Sequence, residues 1–111
     1  MRQVLKLVLS CVVLGSLALA GDYRFVKIDF PSATSTRANG INARGDVVGL
    51  HFDTDGVGHG YLLHKDVFSK IDFHGASLTA AFGLNARGDI AGRFIGADGN
   101  DHGFLLSEDR R

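Results

Sequence analysis

The sequence predicts an all-β fold of two tandem, four-stranded antiparallel meanders, and three observations predict it. The stretch 41–63 returns at 84–106, at a constant offset of 43 residues and without a gap. Both copies read Asn-Ala-Arg-Gly-Asp, a glycine-marked apolar run, Asp-Gly, then His-Gly-aromatic-Leu-Leu. Apolar and polar residues alternate with period two in several runs, as in Phe25-Val-Lys-Ile-Asp-Phe30, which is the pattern of a half-buried strand. Glycine-bearing turn signals separate the runs, with Asp-Gly pairs of the kind that close hairpins. An internal period of this length marks a repeat architecture whose single unit cannot bury its apolar face alone.

The elements follow in order. Residues 25–30 form the first strand of the repeat region, with Val26, Ile28 and Phe30 on one face, and Pro31 ends it because proline cannot donate a ladder hydrogen bond. Residues 31–36 are a polar loop. A short strand over 38–42 leads to the turn Asn42-Ala43-Arg44-Gly45-Asp46, where Gly45 takes the positive φ of a tight hairpin. Residues 47–53 make the next strand, whose Gly49 allows a close backbone approach or a bulge. A turn at 54–58 and a strand at 59–64 follow. The strand at 67–73 copies 25–30, so each unit has four strands. The loop 74–79 corresponds to 31–36, and the second unit ends in the charged residues 108–111 without a fourth strand.

Exchanges between the copies indicate which residues face inward. Ile41 pairs with Leu84, Val47 with Ile90 and Tyr61 with Phe104, all preserving apolar volume, so these positions are predicted to be core. The least similar part, 50–54 against 93–97, is predicted to be exposed or at a strand edge.

The first twenty residues stand apart. Arg2 and Lys6 form a positive head, residues 7–19 a nearly uncharged apolar run, and Ala18-Leu19-Ala20 a small-residue cleavage pattern, which describes a secretory signal peptide over 1–20. The run is short for a membrane span of about 20 apolar residues. The predicted organisation is therefore a signal helix at 1–20 and one β domain at 21–111, with repeat 1 at about 25–67 and repeat 2 at about 68–111. The expected location is secreted or periplasmic. Val8-Leu9-Ser10-Cys11 offers a lipid anchor through Cys11 as the alternative. Because Cys11 is the one cysteine, the exported chain would have no disulfide and no thiolate chemistry.

Removing Arg2 and Lys6 leaves 10 basic and 12 acidic residues, a net charge of −2. The basic residues are scattered, which gives no electrostatic footprint for nucleic acid or an anionic membrane. A domain of this size without disulfides has a thin core, so another source of stability is expected.

A four-stranded meander repeating every 40 to 50 residues is the pattern of a β-propeller blade. Two units cannot close a ring, because propellers have about four to eight blades. The chain is then a homo-oligomeric ring subunit, a fragment of a longer repeat protein, or a small β-sandwich or barrel. The motif also resembles the bacterial extracellular HAF repeats. The matching residues are Gly40-Ile41-Asn42, Gly45, Val48-Gly49, Asp55-Gly56, His59-Gly60-Tyr61-Leu62 and Ile28-Asp29-Phe30-Pro31. In the second copy they are Gly83-Leu84-Asn85, Gly88, Gly92, Asp98-Gly99, His102-Gly103-Phe104-Leu105 and Ile71-Asp72-Phe73, with His74 where proline would stand. The resemblance covers nearly the whole exported chain and implies an exported, propeller-like repeat protein with no catalytic residues to transfer. The chain departs from that family in having few copies.

Few residues suggest chemistry. His59 and His102 recur with their neighbours and are the candidate binding residues, although neither has a repeated ligand set beside it, and a metal site needs three or four. A structural histidine at a strand start is the simpler reading. His51, His64 and His74 are replaced at the equivalent positions. Asp53-Thr54-Asp55-Gly56 resembles the start of a calcium loop, making Asp53 and Asp55 the candidate calcium ligands, but no distal glutamate completes it and a plain hairpin turn explains the same letters. Arg44-Gly45-Asp46 and Arg87-Gly88-Asp89 spell an adhesion triplet that turn chemistry also explains. No nucleophile with a placed base is present in the pattern. The expected function is a secreted binding or structural module, not an enzyme, needing no cofactor. Its partners would be an extracellular ligand or protein, carbohydrate first among them, recognised by the loops 31–36 and 74–79. Nucleic acid, and membrane after signal cleavage, are not expected partners. The alternative is a fragment or subunit of a larger propeller protein, an extracellular enzyme among them.

Overall fold

A computed structural model describes residues 3–8 and 22–108, which form nine strands and no helix. These are β1 (Gln3–Val8), β2 (Asp22–Lys27), β3 (Ser35–Ile41), β4 (Val47–Phe52), β5 (Gly58–His64), β6 (Val67–Ile71), β7 (Leu78–Leu84), β8 (Ile90–Ile95) and β9 (Asp101–Leu106). The all-β class holds. Strands β3 to β9 make one mixed sheet curled into a half-barrel. Within it β3-β4-β5-β6 is one antiparallel meander and β7-β8-β9 a second, joined by a single parallel bridge between Gly58 and Leu78.

The turns obey the sequence closely. Gly45 and Gly88 have φ of 84° and 89°, and Gly56 and Gly99 of 81° and 80°. Asn42 Oδ1 accepts the backbone N–H groups of Arg44 and Asp46, and Asn85 Oδ1 those of Arg87 and Asp89, so each Asn-Ala-Arg-Gly-Asp run is an asparagine-held turn. The bulge lies opposite Gly49 and not on it: the β3–β4 register slips between Ala38 and Gly40, and the β7–β8 register between Ala81 and Gly83. Gly49 and Gly92 serve close approach. A Cβ at Gly49 would meet the Arg37 carbonyl oxygen and the Tyr61 hydroxyl, and one at Gly92 the Ala80 carbonyl oxygen and the Phe104 ring.

Strand alternation gives the first meander two faces. One carries Val48, Leu50 and Leu62 and packs on the second meander, where Val48, Ala81 and Ile90 form the core with Leu62, Ile71, Leu84 and Phe104 around them. The other carries Val47, His51 and Tyr61, all buried. Two hydrogen bonds tie the meanders where β3 runs beside β7: Asn39 Nδ2 donates to the Ala81 carbonyl (3.0 Å) and Asn42 Nδ2 to the Asn85 carbonyl (3.0 Å). The second links positions one period apart.

Four expectations are corrected. The N-terminal helix is absent at Gln3–Val8, which is a strand paired with β2; so short an apolar run has no periodicity to tell strand from helix, and the rest of 1–20 lies outside the described residues. The opening strand occupies Asp22–Lys27, earlier than 25–30, with β1 as its partner. Ile41 is 68% exposed, because the face that covers Leu84 belongs to repeat 1 and no corresponding face lies against Ile41 among the described residues. The divergent stretch 50–54 begins in the core, with Leu50 and His51 buried. Leu50 lies under the second meander while its counterpart Arg93 faces outward, so the letters differ because the surroundings do. The charged residues 109–111 lie outside the described residues.

Candidate binding surface at the histidine end of the sheets

His59 opens β5 between two aspartates. Its Nδ1 lies 2.7 Å from Asp72 Oδ1 and its Nε2 2.9 Å from Asp53 Oδ2. Donating both bonds at once requires the imidazolium. Burial pulls the His59 pKa down, but the bonds to Asp72 and Asp53 outweigh it and hold the value above the usual histidine range. Asp53 is drawn below the usual carboxylate range by the His59 bond first and then by the Val57 amide. Its Oδ1 also accepts the N–H groups of Asp55 and Val57, so Asp53 both builds the turn and anchors the histidine. Asp55 is exposed on that turn. A histidine clamped this way has no lone pair to offer a metal or a proton in flight.

The second copy repeats half of this. His102 Nε2 lies 3.1 Å from Asp98 Oδ2, because Gly96 stands where Asp53 does in the first turn. Asp98 is held low by the Asn100 amide first, with His102 adding to it. His102 Nδ1 meets no equivalent of Asp72 among the described residues. Among those residues no group of three or more His, Cys, Asp or Glu side chains is disposed to hold a metal ion.

Behind His59 lies an aromatic column. Phe30 stacks on His51 at 3.6 Å and His51 on His59 at 5.2 Å, while Phe68 closes the side against Phe30 and Tyr61. The same column recurs as Phe73 on Phe94 at 3.7 Å and Phe94 on His102 at 5.0 Å. His51 is buried with neither ring nitrogen hydrogen-bonded among the described residues. Burial foremost, then the His59 charge, pushes its pKa below the usual histidine range, so it is the neutral ring of the pair. The Tyr61 hydroxyl, pushed up to about 12 by burial, donates to the Arg37 carbonyl at 2.9 Å.

The two loops are pinned alike, with Thr36 Oγ1 accepting from the Phe30 amide and Thr79 Oγ1 from the Phe73 amide. Both loops are largely exposed, and Asp72, just before the second, bonds His59. The first adhesion triplet, at 44–46, is not displayed: Asp46 is buried, bonded to His64 Nδ1 (2.7 Å) and Asn42 Nδ2 (3.2 Å), and the His64 bond holds its pKa low. At that opposite end a groove of about 370 Å³ runs between Val26, Ile28, Ile41, Val47 and Leu63.

Sequence reasoning named His59, His102 and Asp53 but missed Asp72 and His51. Asp72 repeats Asp29, a signal that was there to use. His51 gave none, because the repeat replaces it with Phe94. No helix among the described residues is long and apolar enough to cross a membrane. Compared with known proteins, the chain matches no family model, no curated protein and no solved structure.

Proposed function

We propose that the protein is an exported β-repeat module of the propeller-blade type, acting as a binding or structural unit and not as a catalyst. The supporting observation is the clamped histidine. His59, the histidine that recurs between the copies and is clamped on both sides, has both nitrogens committed to Asp72 and Asp53. Its work is to fasten the 53–57 turn to the 72–77 loop, which leaves a rigid rim for recognition. The bond from Asn42 to Asn85 at one period's spacing supports the blade reading, since it joins equivalent positions of successive units. The resemblance to HAF repeats and the leader at 1–20 support export. A subunit of a larger propeller falls within the same reading, and carbohydrate is its narrower form, open to a glycan array.

The test is activity profiling of the exported protein against hydrolase and lyase substrate panels, with His59→Ala and His102→Ala beside it. No turnover above background is expected in any of the three. Turnover abolished in both variants, with circular dichroism unchanged, would overturn the reading.

A further inference from the structure

The two ends of the repeat pair are left open in complementary ways. In repeat 1, β6 covers the edge of β5, and Phe68 on it fills the space against Phe30 and Tyr61. In repeat 2 no described strand covers the outer edge of β9. The residues equivalent to Phe30 and Tyr61, namely Phe73 and Phe104, there line an open cleft of about 140 Å³ with Ile71 and Leu106. Arg110 and Arg111 stand at the offset of Val67 and Phe68, so the sequence supplies no aromatic there. The residue that does match Phe68 is Phe25 on β2, one period earlier and 59% exposed.

The other face tells the same story. Leu62 is packed between the meanders against Ile90 and the core. Its equivalent Leu105 is 72% exposed on β9. The residues that would receive it by the same offset are Val47, for Ile90, and Ile41, for Leu84, and both line the 370 Å³ groove at the head of repeat 1. The half-made histidine bridge fits as well. Asp72 clamps His59, its equivalent Asp29 lies exposed before the loop 31–36, and His102 is the histidine with that bond unmade.

From this we infer that a second copy of the chain docks head to tail, its β2 adding antiparallel to the free edge of β9, so that the 43-residue repeat continues across the chain boundary. Phe25 of the incoming copy fills the cleft between Phe73 and Phe104, and Leu105 enters the groove beside Ile41 and Val47. The register of β5 with β6, carried over, sets Leu105 opposite Val26 and Leu106 opposite Phe25 of the incoming copy. Asp29 of that copy completes the His102 bridge. Strand addition also removes an exposed sheet edge. A head-to-tail contact is heterologous, so it builds a ring where the rotation closes and a filament where it does not.

The test is a crosslink between two single-cysteine chains, both carrying Cys11→Ser: one with Val26→Cys, the other with Leu105→Cys. Mixed and oxidised, they are expected to give a dimer joined between positions 26 and 105 by peptide mapping, while each alone gives none. Light scattering of the unsubstituted chain is expected to give at least twice the single-chain mass of 11.9 kDa. Phe25→Asp and Leu105→Asp each return it to one chain with the β circular dichroism spectrum kept. A single-chain mass at every concentration up to the solubility limit would overturn the inference, as would a crosslink between two Val26→Cys chains or capture of position 105 by a different protein in place of the second copy.

Discussion

Among the described residues, His51 is the one buried side chain whose polar atoms have no hydrogen-bond partner. A neutral imidazole has one donor and one acceptor, and here both are enclosed without partners between Phe30 and His59. An unsatisfied buried polar group costs about 1–3 kcal/mol, and Phe94 shows that the same column accepts a plain ring. His51→Phe is therefore expected to stabilise the chain by about 1–3 kcal/mol in urea denaturation; a loss of stability would mean that the ring nitrogens are paired. The variant also has a pH signature. Because the folded pKa of His51 lies below 6.5, the unfolded chain binds more protons in the window between the two values, and stability falls as pH drops below about 6.5. His59 acts oppositely: its folded pKa lies above 6.5, so its contribution is complete below 6.5 and is lost as pH rises through the folded value. Asp46, Asp53 and Asp98 lose theirs only in acid, as pH falls through values below 3.8. In His51→Phe the decline just below pH 6.5 is expected to disappear while the decline on the alkaline side remains.

At the scale of the strand, glycine placement decides how closely neighbours approach. Gly49 sits on β4 where β3 bulges, leaving the Arg37 carbonyl and the Tyr61 hydroxyl in the space a side chain would need. Both obstacles are fixed, one by backbone and the other by its own hydrogen bond to Arg37. Gly49→Ala is thus expected to cost about 1–3 kcal/mol, the usual penalty of overpacking. Gly83→Ala, where a Cβ meets nothing, serves as the mild control, and equal losses in the two variants would refute the steric account. Such turns and strands were legible in the sequence because their causes are local: Gly45, Gly88 and the repeated asparagines act within five residues. What was hidden is non-local. The exposure of Ile41, the burial of Leu50 and the pairing of Asp72 with His59 depend on which surface a repeat meets, and the two copies, though similar in sequence, meet different ones. The six-residue strand β1 was hidden for another reason, since a short apolar run carries no period.

Across the whole molecule the two meanders share one aliphatic core. Val48 comes from β4, and Ala81 and Ile90 from β7 and β8, with Leu62 and Phe104 closing the group from either side. The face that carries Val48 is covered by Ala81 and Ile90 of the second meander, while His51 and Tyr61 on the other face are covered within the first meander by Phe30 and Phe68. Repeat arrays of this kind draw stability from the interface between neighbours more than from the single unit. The chain should therefore unfold in one transition, with circular dichroism and tyrosine fluorescence coincident in urea. Tyr61 is the useful reporter because it belongs to the first meander and is wholly buried. Substitutions on the two sides of the core should then be coupled. Val48→Ala and Ile90→Ala are expected to show an interaction energy of roughly 0.5–3 kcal/mol in a double-mutant cycle, the range for residues in direct contact. Additivity within about 0.5 kcal/mol, or a tyrosine transition that separates from the loss of strand signal, would mean that each meander folds on its own.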